Sequence, residues 1–76
     1  MYYNERLIAL REAHGLTQEQ VATAIGVKRE QYRRYEIGRN EIKAHHIVAF
    51  AKLYKVSTDY LLCLSNSPYE SWVKKQ

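Results

Sequence analysis

The most constraining feature of the sequence is the spacing of small and aromatic residues between Gln18 and Tyr35. Ala22 lies four residues after Gln18, Gly26 lies four residues after Ala22, and Tyr32 and Tyr35 are three apart. A small side chain at Ala22 lets two helices approach closely, and Gly26 has the conformational freedom that a tight turn needs. The two aromatics anchor the second helix by one face. The segment therefore predicts two short helices joined by a tight turn.

The rest of the chain also shows helical spacing of apolar residues and has few helix breakers. It contains three Gly and one Pro. Thr17 and Gln20 have the Thr-x-x-Gln form of a capping box, and Ser57 is placed to cap the last helix. We expect an all-α fold with helices at about 4–13, 18–25, 28–37, 44–54 and from 57 onward. The apolar residues expected to be buried by the fourth helix are Ile47, Val48, Ala51 and Tyr54.

Positive charge is concentrated in the third predicted helix and the residues that follow it. The chain has twelve Lys and Arg against eight Asp and Glu, a net charge of +4. Residues 28–39 hold five basic and two acidic residues, a net of +3. Because helical residues turn by ~100° each, inward Tyr32 and Tyr35 leave an outward stripe. The stripe consists of Arg29, Glu30, Arg33 and Arg34. Such a face attracts polyanions such as nucleic acid or an acidic membrane surface, or it is simply a solvated helix face.

Length and composition limit the chain to one small domain. Its 76 residues, of which 46% are hydrophobic, leave room for a single core. One cysteine, Cys63, excludes an internal disulfide and favours a reducing cytosol. No apolar run approaches the ~18 residues that span a membrane, and no export signal is visible. We therefore expect a cytoplasmic protein without a membrane partner.

Catalytic and metal sites find little support in the residue pattern. The sequence has no Ser, His and carboxylate arrangement, no paired acidic site and no phosphate-cradling Gly loop, so we expect a binding protein and not an enzyme. His45 and His46 point ~100° apart on a helix and cannot easily share one ion. We expect no metal and no cofactor, one ring facing solvent, and the other near DNA or the core border. Cys63 is expected to be a buried or partly buried structural thiol.

Four segments in a fixed order carry a resemblance to a known family. They are LTQEQVA at 16–22, IGV at 25–27, RYEIGRNEI at 34–42 and KVSTDYLL at 55–62. Together they resemble the Cro and phage-repressor type of helix-turn-helix protein, also called the xenobiotic-response-element family of bacterial regulators. The resemblance covers about residues 7–62. It implies a compact five-helix bundle of the lambda-repressor-like DNA-binding type, whose third helix enters the major groove.

The resemblance also assigns roles on DNA to individual residues. Positions that match base-contacting residues are Lys28, Arg29, Glu30, Arg33 and Arg34. Arg pairs with guanine O6 and N7 and Glu accepts from cytosine N4, so we expect G·C pairs in the half-site. Positions that match phosphate-contacting residues are Gln18, Arg39, Asn40 and Lys43. The alternative interpretations are an ordinary exposed helix residue for Gln18 and a merely solubilising loop for the other three.

Glu36 is expected to be structural. It lies four residues after Tyr32, so its stem points toward the core edge, where a carboxylate needs a partner. Arg11 lies four residues after Leu7 and is similarly placed on the first helix. Because the family commonly pairs the matching positions, we expect an Arg11–Glu36 salt bridge between the first and third helices.

Two departures from the family pattern lead to further expectations. Cys63 stands where relatives often have Gly, and a Cys resists the left-handed conformation of a helix end, so we expect the fifth helix to continue to about residue 65. Lys28 stands where Ser or Thr often begins the third helix, which weakens the cap. In the tail, Tyr69 and Trp72 can pack on the domain, form a dimer interface or stay loose.

These features predict a sequence-specific transcriptional regulator that binds double-stranded DNA. The resemblance implies a homodimer on a palindromic operator with half-sites ~34 Å apart, and repression rather than activation. We expect a DNA-binding domain at 1–65, with the helix-turn-helix at about 18–37, and a C-terminal tail at 66–76. The alternative is an antitoxin-like interaction module that neutralises a partner protein. RNA binding is disfavoured because Tyr32 and Tyr35 point inward and cannot stack on bases.

Overall fold

The computed structural model describes residues 2–68, which form five α-helices and no strand. The helices are α1 (Tyr3–Ala13), α2 (Gln18–Ile25), α3 (Arg29–Glu36), α4 (Ala44–Tyr54) and α5 (Thr58–Leu61). The predicted all-α, five-helix architecture is confirmed. The expectations for Tyr69 and Trp72 fall on residues 69–76, which lie outside the described part of the chain.

Local signals set both ends of α2. The Thr17 hydroxyl accepts a hydrogen bond from the Gln20 amide at 3.1 Å, and the Gln20 side chain accepts one from the Thr17 amide at 2.8 Å. This confirms the capping box. Gly26 has a φ of 82°, and the Val27 amide donates to the Ala22 carbonyl at 2.9 Å. The tight turn between α2 and α3 therefore depends on a left-handed glycine.

Aromatic side chains of α3 and α4 form the centre of the core. The Phe50 ring lies 5.9 Å from the Tyr32 ring and 6.4 Å from the Tyr35 ring, and all three side chains are buried. Ala22 is also buried, as expected where α2 and α3 approach closely. The full core consists of Leu7, Leu10, Val21, Ala22, Tyr32, Tyr35, Phe50, Tyr54 and Leu61.

The inward face of α4 differs in part from the expected one. Ile47 and Ala51 are partly buried and pack against the core, as expected. The helix buries His46, Phe50 and Tyr54, which are four residues apart and lie on one face. Val48, which was expected in the core, is 46% exposed because it is two residues from His46 and so lies on the opposite side. The prediction for Val48 was therefore wrong, while that for Tyr54 is confirmed.

The fifth helix is shorter than expected and ends at Leu61. Cys63 adopts the left-handed conformation, with a φ of 63°, although a non-glycine residue is expected to resist it. The Cys63 amide donates to the Tyr60 carbonyl at 3.1 Å and the Leu64 amide to the Asp59 carbonyl at 2.8 Å, so two bonds offset the conformational cost. The chain then returns to the start of α5, where Pro68 accepts from the Ser57 amide at 2.8 Å.

Candidate nucleic-acid interface

Helix α3 has a buried aromatic face and an exposed basic face. Tyr32 and Tyr35 are buried, whereas Arg29, Glu30 and Arg34 are exposed, and the Arg33 side chain is 41% exposed. Lys28 is exposed at the N-cap position and provides no side-chain cap, as expected for a residue without a hydrogen-bond acceptor. The structure thus brings all five residues predicted to contact bases to the outer side and the start of one helix.

Three of these residues form a charged network along α3. Glu30 Oε1 accepts from Arg33 Nε at 3.0 Å, and Glu30 Oε2 accepts from Arg33 Nη2 at 2.8 Å. Arg34 Nε lies 3.5 Å from the same Oε2 atom. The hydrogen bonds lower the pKa of Glu30 and raise that of Arg33, so both groups are charged at neutral pH. Arg33 and Arg34 are therefore paired with Glu30 and are not independent cations.

The C-terminal end of α3 is held by the buried carboxylate of Glu36. Arg11 Nε donates to Glu36 Oε2 at 2.7 Å and Arg11 Nη2 to Oε1 at 3.3 Å, so the expected Arg11–Glu36 ion pair is present. Gln18 Nε2 also donates to Oε1, at 2.9 Å. Burial by itself raises the pKa of Glu36, but the hydrogen bonds from Arg11 and Gln18 outweigh burial and hold this pKa below its ordinary value. One carboxylate thereby joins α1, α2 and α3.

Gln18 lies beside an open cleft at the start of α2. The cleft has a volume of about 560 Å³ and is lined by Arg11, Leu16, Thr17, Gln18, Glu19 and Arg29. The half-buried Gln18 side chain is engaged with Glu36, a contact that sequence reasoning missed because the two residues are eighteen positions apart. An amide nitrogen carries two hydrogens, so the second remains for a ligand in the cleft.

The remaining predicted phosphate contacts follow α3. Arg39, Asn40 and Lys43 are all exposed, and Lys43 is the N-cap of α4. Gly38 turns the chain with a φ of 76°, and the Arg39 amide donates to the Arg34 carbonyl at 2.9 Å. This hydrogen bond holds the backbone of Arg39 against the end of α3.

The sequence model of the helix-turn-helix family matches residues 7–61 of the chain. The chain belongs to the helix-turn-helix family, in its Cro and phage-repressor branch. A Bacillus subtilis relative, the helix-turn-helix-type transcriptional regulator YobD, is 42% identical over 66 residues, covering 87% of this chain and 59% of the relative. The SPbeta prophage-derived regulator YonR of the same organism is 35% identical over 60 residues, covering 79% of this chain and 56% of YonR. The chain thus spans a little over half the length of these curated relatives.

Solved structures of helix-turn-helix proteins have the same fold. The P22 c2 repressor, crystallised with a synthetic operator, matches with a TM-score of 0.77 at 26% identity, covering 82% of this chain and 94% of that chain. A transcriptional regulator from Listeria innocua matches with a TM-score of 0.78 at 23% identity, covering 97% of this chain and 69% of that chain. These similarities show that the chain shares the fold of the P22 c2 repressor.

A buried polar contact that the sequence did not reveal also fixes α3 in this helix-turn-helix protein. The Tyr35 hydroxyl lies 2.7 Å from His46 Nδ1, and Gln31 Nε2 donates to the same hydroxyl at 3.4 Å. Burial lowers the pKa of His46, and the neighbouring His45 and Lys43 lower it further, so the ring that forms this hydrogen bond with Tyr35 is neutral at neutral pH. His45 is exposed, which confirms that one of the two rings faces solvent while the other borders the core.

Helix α1 provides two further contacts that sequence reasoning missed. Asn4 Nδ2 donates to the Glu36 carbonyl at 3.2 Å and so satisfies a carbonyl at the last turn of α3. The Arg6 guanidinium lies 3.9 Å from the centre of the Tyr60 ring, which ties α1 to α5. Polar side chains of α1 therefore contact both the last turn of α3 and helix α5.

The described part of the chain, residues 2–68, contains no cluster of three or more His, Cys, Asp or Glu side chains that could hold a metal ion. None of its helices is both long enough and apolar enough to cross a bilayer. The candidate site consists of the basic stripe on α3, the cleft beside Gln18 and the ion pairs of Glu30 and Glu36.

Proposed function

We propose that the protein is a sequence-specific transcriptional regulator that acts as a repressor by placing α3 in the major groove of its operator. The observation that carries this proposal is the exposed basic face of α3, held on its other side by buried tyrosines and by Glu36. A rigidly held recognition helix presents its side chains in a fixed register to base edges. The names of the relatives and the operator complex of the P22 c2 repressor support the same function.

Base recognition in this proposal comes from the outer face of α3. Arg29 and Arg33 have guanidinium groups that can donate to guanine O6 and N7, and each good bidentate pair discriminates by ~1–3 kcal/mol. Lys28 at the start of α3 and Arg34 in its last turn add further donors. The half-site is therefore expected to contain G·C pairs.

Phosphate contacts on both sides of α3 would set the register. The second hydrogen of the Gln18 amide can donate to a phosphate oxygen at the start of α2, where the helix dipole also favours an anion. Arg39, Asn40 and Lys43 provide donors after the end of α3. These contacts carry no sequence information, but they make affinity fall steeply as salt concentration rises.

The proposal also includes a homodimer in the cytoplasm. In this proposal residues 1–65 are the DNA-binding domain, and residues 66–76 are a C-terminal tail that packs on the domain or takes part in the dimer interface. A small domain buries limited surface and contacts few base pairs, so two copies related by a two-fold axis would read a palindrome with half-sites ~34 Å apart. A homodimer thereby supplies both stability and operator contacts.

Selection from randomised double-stranded DNA at two salt concentrations tests this function. We expect a palindromic consensus with G·C pairs in each half-site, and weaker binding at the higher salt. Arg29→Ala and Arg33→Ala are expected to relax the preference at separate base pairs while retaining salt-dependent binding. Weak retention of DNA without any consensus would refute the proposal. Co-purification with a partner protein in that case would support the antitoxin-like alternative.

A further inference from the structure

We propose that Glu30 is a positioning residue that orients Arg33 for guanine, and that it does not itself read a base. This proposal rests on the proposed DNA-binding function. It changes the role given to Glu30 by the family resemblance, which matches this position to a direct base contact. The proposal follows from the geometry of the ion pair and from the atoms of Arg33 that the pair leaves free.

The carboxylate of Glu30 binds one particular edge of the Arg33 guanidinium. Nε donates at 3.0 Å to Oε1 and Nη2 donates at 2.8 Å to Oε2, so the Nε and Nη2 edge is fully used. A guanidinium has five N–H groups in a rigid plane. Both hydrogens of Nη1 and one hydrogen of Nη2 therefore remain, and one from each nitrogen lie parallel on the Nη1/Nη2 edge. Two parallel N–H groups on that edge are what guanine O6 and N7 accept.

The same interaction limits what Glu30 can do by itself. Both of its oxygens accept from Arg33, and Arg34 Nε lies 3.5 Å from Oε2, so the carboxylate faces cations from two positions on α3. A cytosine amino group would have to compete with these charged donors for the same atoms. The exposed carboxylate also repels phosphates, which disfavours any bound register in which Arg33 does not find its base. Glu30 is therefore expected to increase discrimination more than affinity.

A double-mutant comparison of Glu30→Gln, Arg33→Ala and the double variant tests this role. Binding of each protein is measured to the selected operator and to operators with one base pair changed. Wild-type discrimination at the guanine read by Arg33 is expected to be about 5- to 150-fold, the range that corresponds to one bidentate contact. Glu30→Gln is expected to lose most of this discrimination at that same base pair and so to approach the value of Arg33→Ala. The double variant is expected to discriminate no less than Arg33→Ala alone, because Glu30 acts through Arg33.

Two outcomes would overturn the inference. A Glu30→Gln effect at a different base pair that persists in the Arg33→Ala background would show that Glu30 reads a base directly. Unchanged discrimination in Glu30→Gln would show that Arg33 needs no positioning. Failure of the wild-type protein to select any sequence is a separate result, because it removes the proposed function and not only this residue's role.

A matched control separates positioning from net charge. Glu12→Gln makes the same change of charge at an exposed position on α1, outside the α3 network. Both variants are expected to bind nonspecific DNA somewhat more tightly, but only Glu30→Gln should lose base discrimination. Thermal melting of Glu30→Gln is expected to match wild type, because an exposed ion pair contributes little to stability. An equal loss of discrimination in Glu12→Gln would contradict the proposal.

Discussion

Replacing Glu36 by Ala is expected to produce a large loss of stability. Glu36 is 4% exposed and accepts three hydrogen bonds, two from Arg11 and one from Gln18. Breaking a buried ion pair by removing one partner costs ~3–5 kcal/mol. Arg11 keeps a hydrogen bond to the Leu16 carbonyl at 3.0 Å and is 16% exposed, so it recovers part of this loss. We therefore expect a cost of about 3 kcal/mol, at the lower end of that range.

The expected loss is measurable by thermal and urea denaturation. In a domain of this size, 1 kcal/mol corresponds to ~4–8 °C in Tm, so the melting temperature of Glu36→Ala should fall by roughly 12–24 °C. If that variant does not fold, Glu36→Gln preserves the shape and one acceptor, and it is expected to lose about half as much. The exposed Glu30→Gln variant provides a control with little change. An unaltered Tm in both Glu36 variants would refute the structural role of the carboxylate.

The pH dependence of stability in the acid range provides a second test of the role of Glu36. The folded pKa lies below the ordinary value of 4.5, so the unfolded chain binds a proton more readily than the native protein. The stabilisation is therefore present above pH 4.5 and is lost as the pH falls through the folded pKa. Glu36→Gln is expected to lack this part of the acid dependence. The same acid dependence in wild type and variant would show that other carboxyl groups are responsible.

Three further predictions concern buried groups and one strained residue. Tyr35→Phe is expected to lower the free energy of unfolding by about 1–3 kcal/mol because His46 loses its hydrogen-bond partner. Tyr54→Phe should be neutral or stabilising, because the buried Tyr54 hydroxyl makes no hydrogen bond within residues 2–68. Thermal melting of both variants compares the two effects. Burial lowers the pKa of His46 from 6.5, so wild-type Tm should be steady above that pH and fall below it, and His46→Asn should reduce this fall. Cys63→Gly is expected to raise stability by about 0.5–1 kcal/mol because it relieves the left-handed backbone strain; a lower Tm would contradict this.

Elements with capping signals in their own sequence were predicted most accurately. The bounds of α2 agree with the expected range because Thr17, Gln20 and Gly26 fix its ends through short-range contacts. The bounds of α4 also agree, yet its inward face agrees only in part, because Val48 is exposed. Ile47 and Val48 are both apolar, so periodicity alone could not decide which side faces the core. The choice depends on Phe50 packing on α3, a contact between distant parts of the chain.

The outcome at α5 shows a limit of local propensity. A non-glycine residue pays ~1–2 kcal/mol to enter the left-handed region, which favoured a longer helix. In the structure Cys63 and Leu64 close the end of α5 with two backbone bonds, and Pro68 satisfies the amide of Ser57. These bonds form only if the chain turns back at this point. Such a gain involves residues beyond the helix, so a prediction for one position at a time does not include it.

The candidate site was predictable in position but not in connectivity. Helical geometry places Arg29, Arg33 and Arg34 on the outer face once Tyr32 and Tyr35 are assigned to the core. The i,i+3 spacing of Glu30 and Arg33 was a usable signal for their ion pair. By contrast, the bond between the Gln18 side chain and Glu36 joins residues of two helices. It follows from the crossing of α2 and α3, which no local pattern contains.

The two carboxylates of α3 show why the length of an ion pair does not reveal its role. Arg11 and Arg33 each hold a glutamate with Nε and Nη2, with shortest distances of 2.7 Å for Glu36 and 2.8 Å for Glu30. What differs is the free edge of the guanidinium. Arg11 Nη1 donates to the Leu16 carbonyl, so that arginine is used entirely within the fold. Arg33 Nη1 has no acceptor in residues 2–68, and the Arg33–Glu30 pair is exposed. Stability should therefore depend on Glu36 and base discrimination on Glu30. Measuring both the melting temperature and the base discrimination of Glu36→Gln and of Glu30→Gln is the direct test of that division.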